Sequence, residues 1–178
     1  GRVQVMARTQ TQLFDQARIE AFVEQALDSH AVVLALHGGG GSCPAIEPLL
    51  AGLDRARAAG QPVPRLHVQS AGGDGEALLL AREHSDGLED GTYQTLFSYL
   101  RHSGPENLAS ALAFLEFLVL GQGQPPPPAA PIPREGAYHP DLGLVADIGA
   151  YVRERLDPAR PRIGLWFFQG SWLNGNLE

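Results

Sequence analysis

A cluster of six prolines most constrains how this chain can fold. The prolines stand at positions 125, 126, 127, 128, 131 and 133 of the 178 residues. Proline has no backbone N–H and a fixed φ, so neither a helix interior nor a central strand can run through this tract. We therefore expect the segment from Gly121 to Pro133 to be an extended, semi-rigid polyproline spacer that marks a subdomain boundary.

Before this tract, short apolar runs alternate with longer amphipathic ones. The pattern predicts strands at Val3–Ala7, Ala31–Leu36 and Arg65–Gln69. It also predicts helices at Asp15–Ser29, Pro44–Ala59 and Glu76–His84. Alternating strands and helices favour parallel pairing with right-handed crossovers. The expected fold class is therefore α/β, with an open, mostly parallel sheet and flanking helices.

Two consecutive helices should follow this region. Thr92–Arg101 and Pro105–Leu120 are separated by the breaker Ser103-Gly104, which predicts a helical hairpin. Beyond the prolines, the pattern predicts a helix at Gly143–Leu156 and a strand at Arg162–Phe168. Four regions are thus expected: a Rossmann- or flavodoxin-like region at 1–90, the hairpin at 91–121, a Pro-rich linker at 122–142, and the start of a second α/β region at 143–178.

The string from His37 to Pro44 is the first candidate site. Four glycines and Ser42 follow a buried strand and precede a helix, where backbone N–H groups can meet an anion. His37, Gly39, Gly40 and Ser42 are the candidate ligand contacts. The string lacks the spacing of a dinucleotide fingerprint and the lysine of a P-loop. The alternative is a flexible strand-to-helix turn in which Ser42 caps the helix.

Charge and cysteine content narrow the function classes. All 13 basic residues are arginine, and they stand against 20 acidic residues for a net charge of −7. Because phosphate binding needs clustered cations, a nucleic-acid partner is not expected.

The longest apolar run, Leu108 to Leu120, is too short to span a bilayer. The single cysteine, Cys43, cannot form an internal disulfide and favours a reducing, cytoplasmic compartment.

Cys43 is a candidate nucleophile, and the six histidines are candidate metal ligands. A nucleophilic thiol at a helix start needs a base, and no partner beyond His37 is identifiable, so a packed small residue is the alternative. No two histidines have the i, i+4 spacing of a helical metal site, and no Cys-x-x-Cys motif accompanies them. We therefore assign no catalytic residue and no metal ligand from the sequence.

Several motifs in the second half resemble the large subunits of cobaltochelatase (CobN) and magnesium chelatase. The matching residues are Tyr99, Leu100, Ser103, Gly104, Pro105, Glu106, Asn107, Pro131, Pro133, Gly136, Tyr138, His139, Pro140 and the stretch from Ile163 to Gln169. Ser103 stands where the family pattern has glycine, and Phe-Phe-Gln stands where it has a Tyr-Arg pair, so a divergent paralogue stays open. Because such subunits are several times longer, the resemblance implies an N-terminal region of a larger protein.

The resemblance implies a tetrapyrrole-binding subunit of an ATP-dependent chelatase. Its substrate would be hydrogenobyrinic acid a,c-diamide, its metal Co²⁺, and its partners AAA+ ATPase subunits that use ATP-Mg²⁺. This region itself would hold no cofactor and would be inactive alone. A scaffold or docking module from a chelatase-like paralogue is the alternative.

Tyr138 and His139 are the second candidate site, again through the resemblance. A Tyr-His pair framed by prolines can stack on a macrocycle or coordinate a metal in passing. The alternative is that the two rings pack and lock the loop onto the helical hairpin.

Overall fold

The computed structural model describes residues 3–36, 43–70, 81–131, 136–139, 143–145, 147–161 and Gly164. Within them the fold is mixed α/β, as the sequence predicts. A parallel two-stranded sheet, a separate antiparallel pair of short strands and several helices make up the described part.

The N-terminal segment leads into the first helix without forming a strand. Residues 3–9 have no regular structure, so the strand predicted at Val3–Ala7 is wrong. Val3 and Val5 stay exposed because this short alternating run finds no strand to pair with among the described residues. A short 3-10 turn, Gln10–Gln12, precedes helix α1, Gln16–Leu27. Asp15 caps α1, since its side chain accepts a hydrogen bond from the Arg18 N–H at 2.8 Å.

Strands β1 (Ala31–Leu36) and β2 (Arg65–Ser70) pair in parallel along their whole length, and helix α2 (Ile46–Ala58) connects them. The predicted parallel strand, helix, strand unit is therefore confirmed. Helices α1 and α2 pack closely at Gly52, where an added Cβ would lie only 3.0 Å from Leu27 Cδ1. The core between sheet and helices is formed by Leu13, Ile19, Val23, Ala26, Val32, Leu34, Leu36, Ala45, Ile46, Leu49, Leu53, Leu66, Val68 and Ala81.

The outer edge of β2 is covered by the segment that follows helical residues 81–84. Asp86 exchanges two backbone hydrogen bonds with Leu66, at 2.9 and 2.8 Å. Next to it, the Ser85 hydroxyl accepts from the Val68 N–H at 2.9 Å. The Asp86 carboxylate also pairs with Arg57 of α2. Covering this edge removes unpaired backbone groups that could recruit another strand.

The predicted helical hairpin is confirmed. Helix α3 runs from Asp90 to His102 and α4 from Gly104 to Leu120, and the two pack against each other. Ser103, between them, has φ 56° and ψ −161°, a region that is essentially restricted to glycine. Among the described residues, Ser103 is the only one with a positive φ that is not glycine. The sharp corner therefore holds a serine in a glycine conformation.

The C-terminal part differs from its prediction. The sequence predicts one helix over Gly143–Leu156, but Gly143–Val145 is strand β4, which pairs antiparallel with β3, Ala137–His139. Helix α5 starts only at Ile148 and ends at Arg155. Asp147 caps it by accepting the Ala150 N–H at 2.8 Å, which fixes the later start. The strand predicted at Arg162–Phe168 lies outside the described residues except for Gly164.

Candidate functional site

The carboxyl ends of the parallel strands lie side by side, with Leu36 opposite Ser70. Ligands of open α/β sheets gather at this edge. The predicted contacts His37, Gly39, Gly40 and Ser42 lie outside the described residues, so their role stays a prediction. Helix α2 has Ala45 rather than Ser42 at its N-cap position. Cys43 is half-buried and packs against the core, in line with the structural alternative for this thiol.

One of the six histidines, His67, is buried on β2. His67 is only 1% exposed. Its Nε2 lies 2.9 Å from Gln69 Oε1, and Gln69 Nε2 in turn donates to the Phe97 carbonyl of α3 at 3.2 Å. Because the Gln69 nitrogen is committed to Phe97, its oxygen must accept, so His67 carries its proton on Nε2. His67 Nδ1 is then an acceptor, and no hydrogen-bond partner for it lies within the described chain.

Two side chains set the electrostatics around His67. The Tyr93 ring lies 4.7 Å from the imidazole, and the Arg82 guanidinium lies 4.7 Å from the Tyr93 ring on α3. Burial lowers the pKa of His67; the hydrogen bond to Gln69 opposes this shift and the Arg82 charge adds to it. Burial raises the pKa of Tyr93, against a smaller opposite effect of Arg82. The imidazole is therefore held neutral in the folded protein at ordinary pH.

The second predicted site, Tyr138 and His139, forms part of strand β3. Both side chains are half-buried. The His139 ring lies 5.6 Å from the Tyr151 ring of α5, with 53° between the planes. The imidazole thus packs on the following helix. Because neither side chain is fully buried, a stacking role stays chemically feasible.

Two motif residues of the helical hairpin, Tyr99 and Asn107, form hydrogen bonds with the Pro-rich segment. Tyr99, which is 1% exposed, donates its hydroxyl to the Pro127 carbonyl at 2.6 Å. Asn107, which is 4% exposed, bonds both backbone groups of Ala130 and also donates to the Ser103 carbonyl at 2.8 Å. We call residues 125–130 the strap, because these contacts bind them along the hairpin. Ala129 adds an apolar contact to the same cluster. Residues 122–131 form no helix or strand, yet they do not stand free as a spacer.

The strap explains why the resembling residues occur together. Tyr99 lies on α3, Asn107 on α4, and both reach the same six-residue segment. The hydrogen bonds of Asn107 give it a structural role at the hairpin corner. Prolines leave carbonyls without local N–H partners, so side-chain donors are needed to satisfy them. In the sequence, Tyr99 and Asn107 are linked to the strap only because they belong to the same family pattern.

Within the described ranges, no three His, Cys, Asp or Glu side chains converge as a metal site would require. None of the helices in those ranges is long and apolar enough to cross a bilayer.

One comparison with known proteins finds a family. A family model described as CobN/Magnesium Chelatase matches residues 97–178, the part that contains Tyr99, Asn107, the strap, Tyr138 and His139. No curated protein and no solved structure matches the chain significantly. The family match therefore rests on the same half of the chain in which the sequence motifs lie. Residues 97–178 of this chain are therefore similar to the CobN/magnesium chelatase family.

Proposed function

We propose that this chain is part of the large, tetrapyrrole-binding subunit of an ATP-dependent metal chelatase. The family match over residues 97–178 carries this proposal, since it supports a chelatase-like large subunit in general. Within that class we propose cobalt insertion into hydrogenobyrinic acid a,c-diamide. Co²⁺ and the corrinoid precursor would be substrates, and AAA+ partner subunits would hydrolyse ATP-Mg²⁺. We place this activity in the cytoplasm.

The proposed ring contacts are the two candidate sites. His37, Gly39, Gly40 and Ser42 would meet the acidic side chains of the macrocycle at the sheet edge, where backbone N–H groups favour anions. Tyr138 and His139 would stack on the ring plane through their accessible parts. The half-buried state of both side chains supports this, because a fully buried pair could not stack on a ligand.

Metal insertion also requires bases that take protons from the ring nitrogens. Tyr99 and Asn107 are committed to the strap, and His67 is enclosed between Gln69 and Tyr93. We therefore propose that the proton-accepting groups lie outside the described residues. On this view the described region binds and positions the substrate.

A docking module is the second candidate function, and one observation favours it. Helix α4 leaves Leu108, Leu112 and Leu120 exposed, at 41%, 45% and 39%. Large apolar side chains grouped on one exposed helix are typical of protein contact surfaces. On this alternative, α4 would contact another part of the chelatase assembly, and the chain would not bind the ring.

A titration separates the two functions. The purified chain is mixed with hydrogenobyrinic acid a,c-diamide, and separately with a porphyrin, while ring absorbance and the fluorescence of Trp166 and Trp172 are recorded. We expect saturable binding of the corrinoid precursor, with weaker binding of the porphyrin. His139→Ala should weaken this binding, whereas His30→Gln, an exposed histidine near β1, should not. A folded sample that binds neither ring would reject the ring-binding proposal and favour docking.

A further inference from the structure

A pocket of about 370 Å³ lies between the N-terminal segment and helix α1. It is outside residues 97–178 and outside both candidate sites. Its volume falls within the range of roughly 300–1,000 Å³ that small-molecule sites occupy. Its floor is apolar, formed in part by the buried Leu13 and the half-buried Phe22.

The polar part of the lining carries two positive charges and no negative charge. Arg8, Gln12, Arg18 and Gln25 line the pocket, and no acidic residue does. This composition contrasts with the chain as a whole, which carries a net charge of −7. A site lined by two guanidinium groups, of which only Arg18 is paired with a carboxylate, favours an anion.

The local hydrogen bonds sharpen this preference. Gln12 Oε1 accepts the Thr9 N–H at 2.9 Å, which commits the oxygen and leaves the amide NH₂ group of Gln12 for a ligand. Arg8 uses one N–H on the Ala7 carbonyl at 2.8 Å and has no carboxylate partner. Arg18 pairs through Nε with Asp15 at 3.4 Å and lies over the exposed Phe14 ring. That pairing orients Arg18 without using its terminal nitrogens.

We propose that this pocket binds a small organic carboxylate with an apolar body. The carboxylate would accept hydrogen bonds from Arg8 and Gln12, and the apolar body would lie on Leu13 and Phe22. The turn at Gln10–Gln12 and the capped start of α1 hold these groups in place. A pocket of this size is too small to enclose a tetrapyrrole, so the site is separate from the proposed ring contacts.

The test uses two probes of nearly the same shape, of which only one is negatively charged. Naphthalene-2-carboxylate and naphthalene-2-carboxamide are titrated into the isotope-labelled chain, and backbone amide shifts are followed by NMR. We expect the carboxylate to shift residues 8–25 and to bind at least about tenfold more tightly than the carboxamide, a difference of about 1.4 kcal/mol. Equal affinities, or shifts located elsewhere, would overturn the proposal.

A matched pair of variants tests the role of the guanidinium. Arg8→Gln should weaken carboxylate binding by about tenfold, because it removes the unpaired cation. Arg101→Gln removes an exposed arginine on α3, far along the chain from the pocket, and should leave binding unchanged. Arg8 is exposed and makes only a local bond, so circular dichroism should show both variants folded. If both variants lose affinity equally, the pocket is not the site.

Discussion

The carboxamide of Asn107 forms two hydrogen bonds with the backbone of Ala130. Its Oδ1 accepts the Ala130 N–H at 2.9 Å, and its Nδ2 donates to the Ala130 carbonyl at 2.9 Å. One buried side chain thereby satisfies both backbone groups of a residue 23 positions away. The strap depends on this pair and on the Tyr99 hydroxyl.

Asn107→Ala should destabilise the protein by about 1–3 kcal/mol, because it removes two part-buried hydrogen bonds to Ala130 that each typically contribute about 0.5–1.5 kcal/mol. Chemical denaturation followed by circular dichroism measures this loss. Gln94→Ala, an exposed change on α3, is the control and should cost less than about 0.5 kcal/mol. A loss no larger than that of the control would mean that the strap contributes little to stability.

Tyr99→Phe should cost about 0.5–1.5 kcal/mol, since it removes the hydroxyl bond to Pro127 but keeps the ring beside Phe114. Tyr99 and Asn107 hold the same segment, so the two losses should not add. A double-mutant cycle should show a coupling of about 0.5 kcal/mol or more. Strict additivity would indicate that the two residues act on independent parts of the chain.

Ser103→Gly should stabilise the protein by about 1 kcal/mol. At φ 56° and ψ −161°, a residue with a Cβ is strained by about 1–3 kcal/mol, and the greater unfolded-state entropy of glycine offsets part of the gain. The measurement is the midpoint of urea unfolding. Ser98→Gly, inside helix α3, is the matched control and should be destabilising by roughly 0.5 kcal/mol. A destabilised Ser103→Gly variant would contradict the assignment of strain to this corner.

His67 should make stability depend on pH. Burial lowers the pKa of His67 in the folded protein. When the pH is below the ordinary histidine pKa of about 6.5, the unfolded chain therefore binds a proton at His67 more readily than the folded chain does. Stability should therefore fall as the pH drops from about 6.5 toward the folded-state pKa, and this contribution is absent above pH 6.5. Thermal unfolding between pH 8 and pH 5 should show a smaller pH effect in His67→Gln than in the unmodified chain. His30→Gln, an exposed histidine, should retain the full effect.

Leu112→Gln should leave stability unchanged within about 0.5 kcal/mol, because Leu112 is 45% exposed. Phe114→Ala, two residues along the same helix, should cost about 3–5 kcal/mol because Phe114 is buried against Tyr99. Equilibrium unfolding compares the two directly. If Leu112→Gln is as damaging as Phe114→Ala, the exposed face of α4 is part of the core and not a docking surface.

The sequence predicted the elements that carry a long periodic signal. Helices α1 to α4 and the strands β1 and β2 follow from apolar spacing and from breakers such as Ser103-Gly104. It was wrong at Val3–Ala7 because a short alternating run becomes a strand only when a partner strand is available. It placed the start of the last helix too early because Gly143–Val145 pairs with β3 instead.

The contacts between distant residues were the least predictable. Asn107 bonding to Ala130 and His67 bonding to Gln69 depend on where helices and strands come together, which local patterns do not encode. His67 looked like any strand histidine in the sequence, and only its neighbours Tyr93 and Arg82 distinguish it. The candidate contacts at the Gly-rich turn stay predictions, whereas His139 is now known to pack on Tyr151.

The strap also shapes how the hairpin meets other chains. Pro125 to Pro128 are four consecutive residues without a backbone N–H, so this stretch can accept hydrogen bonds but cannot donate them. An incoming β-strand needs both donors and acceptors along an edge, and it finds no donors here. The protein therefore covers one side of an apolar helical hairpin with a segment that cannot seed sheet-like aggregation.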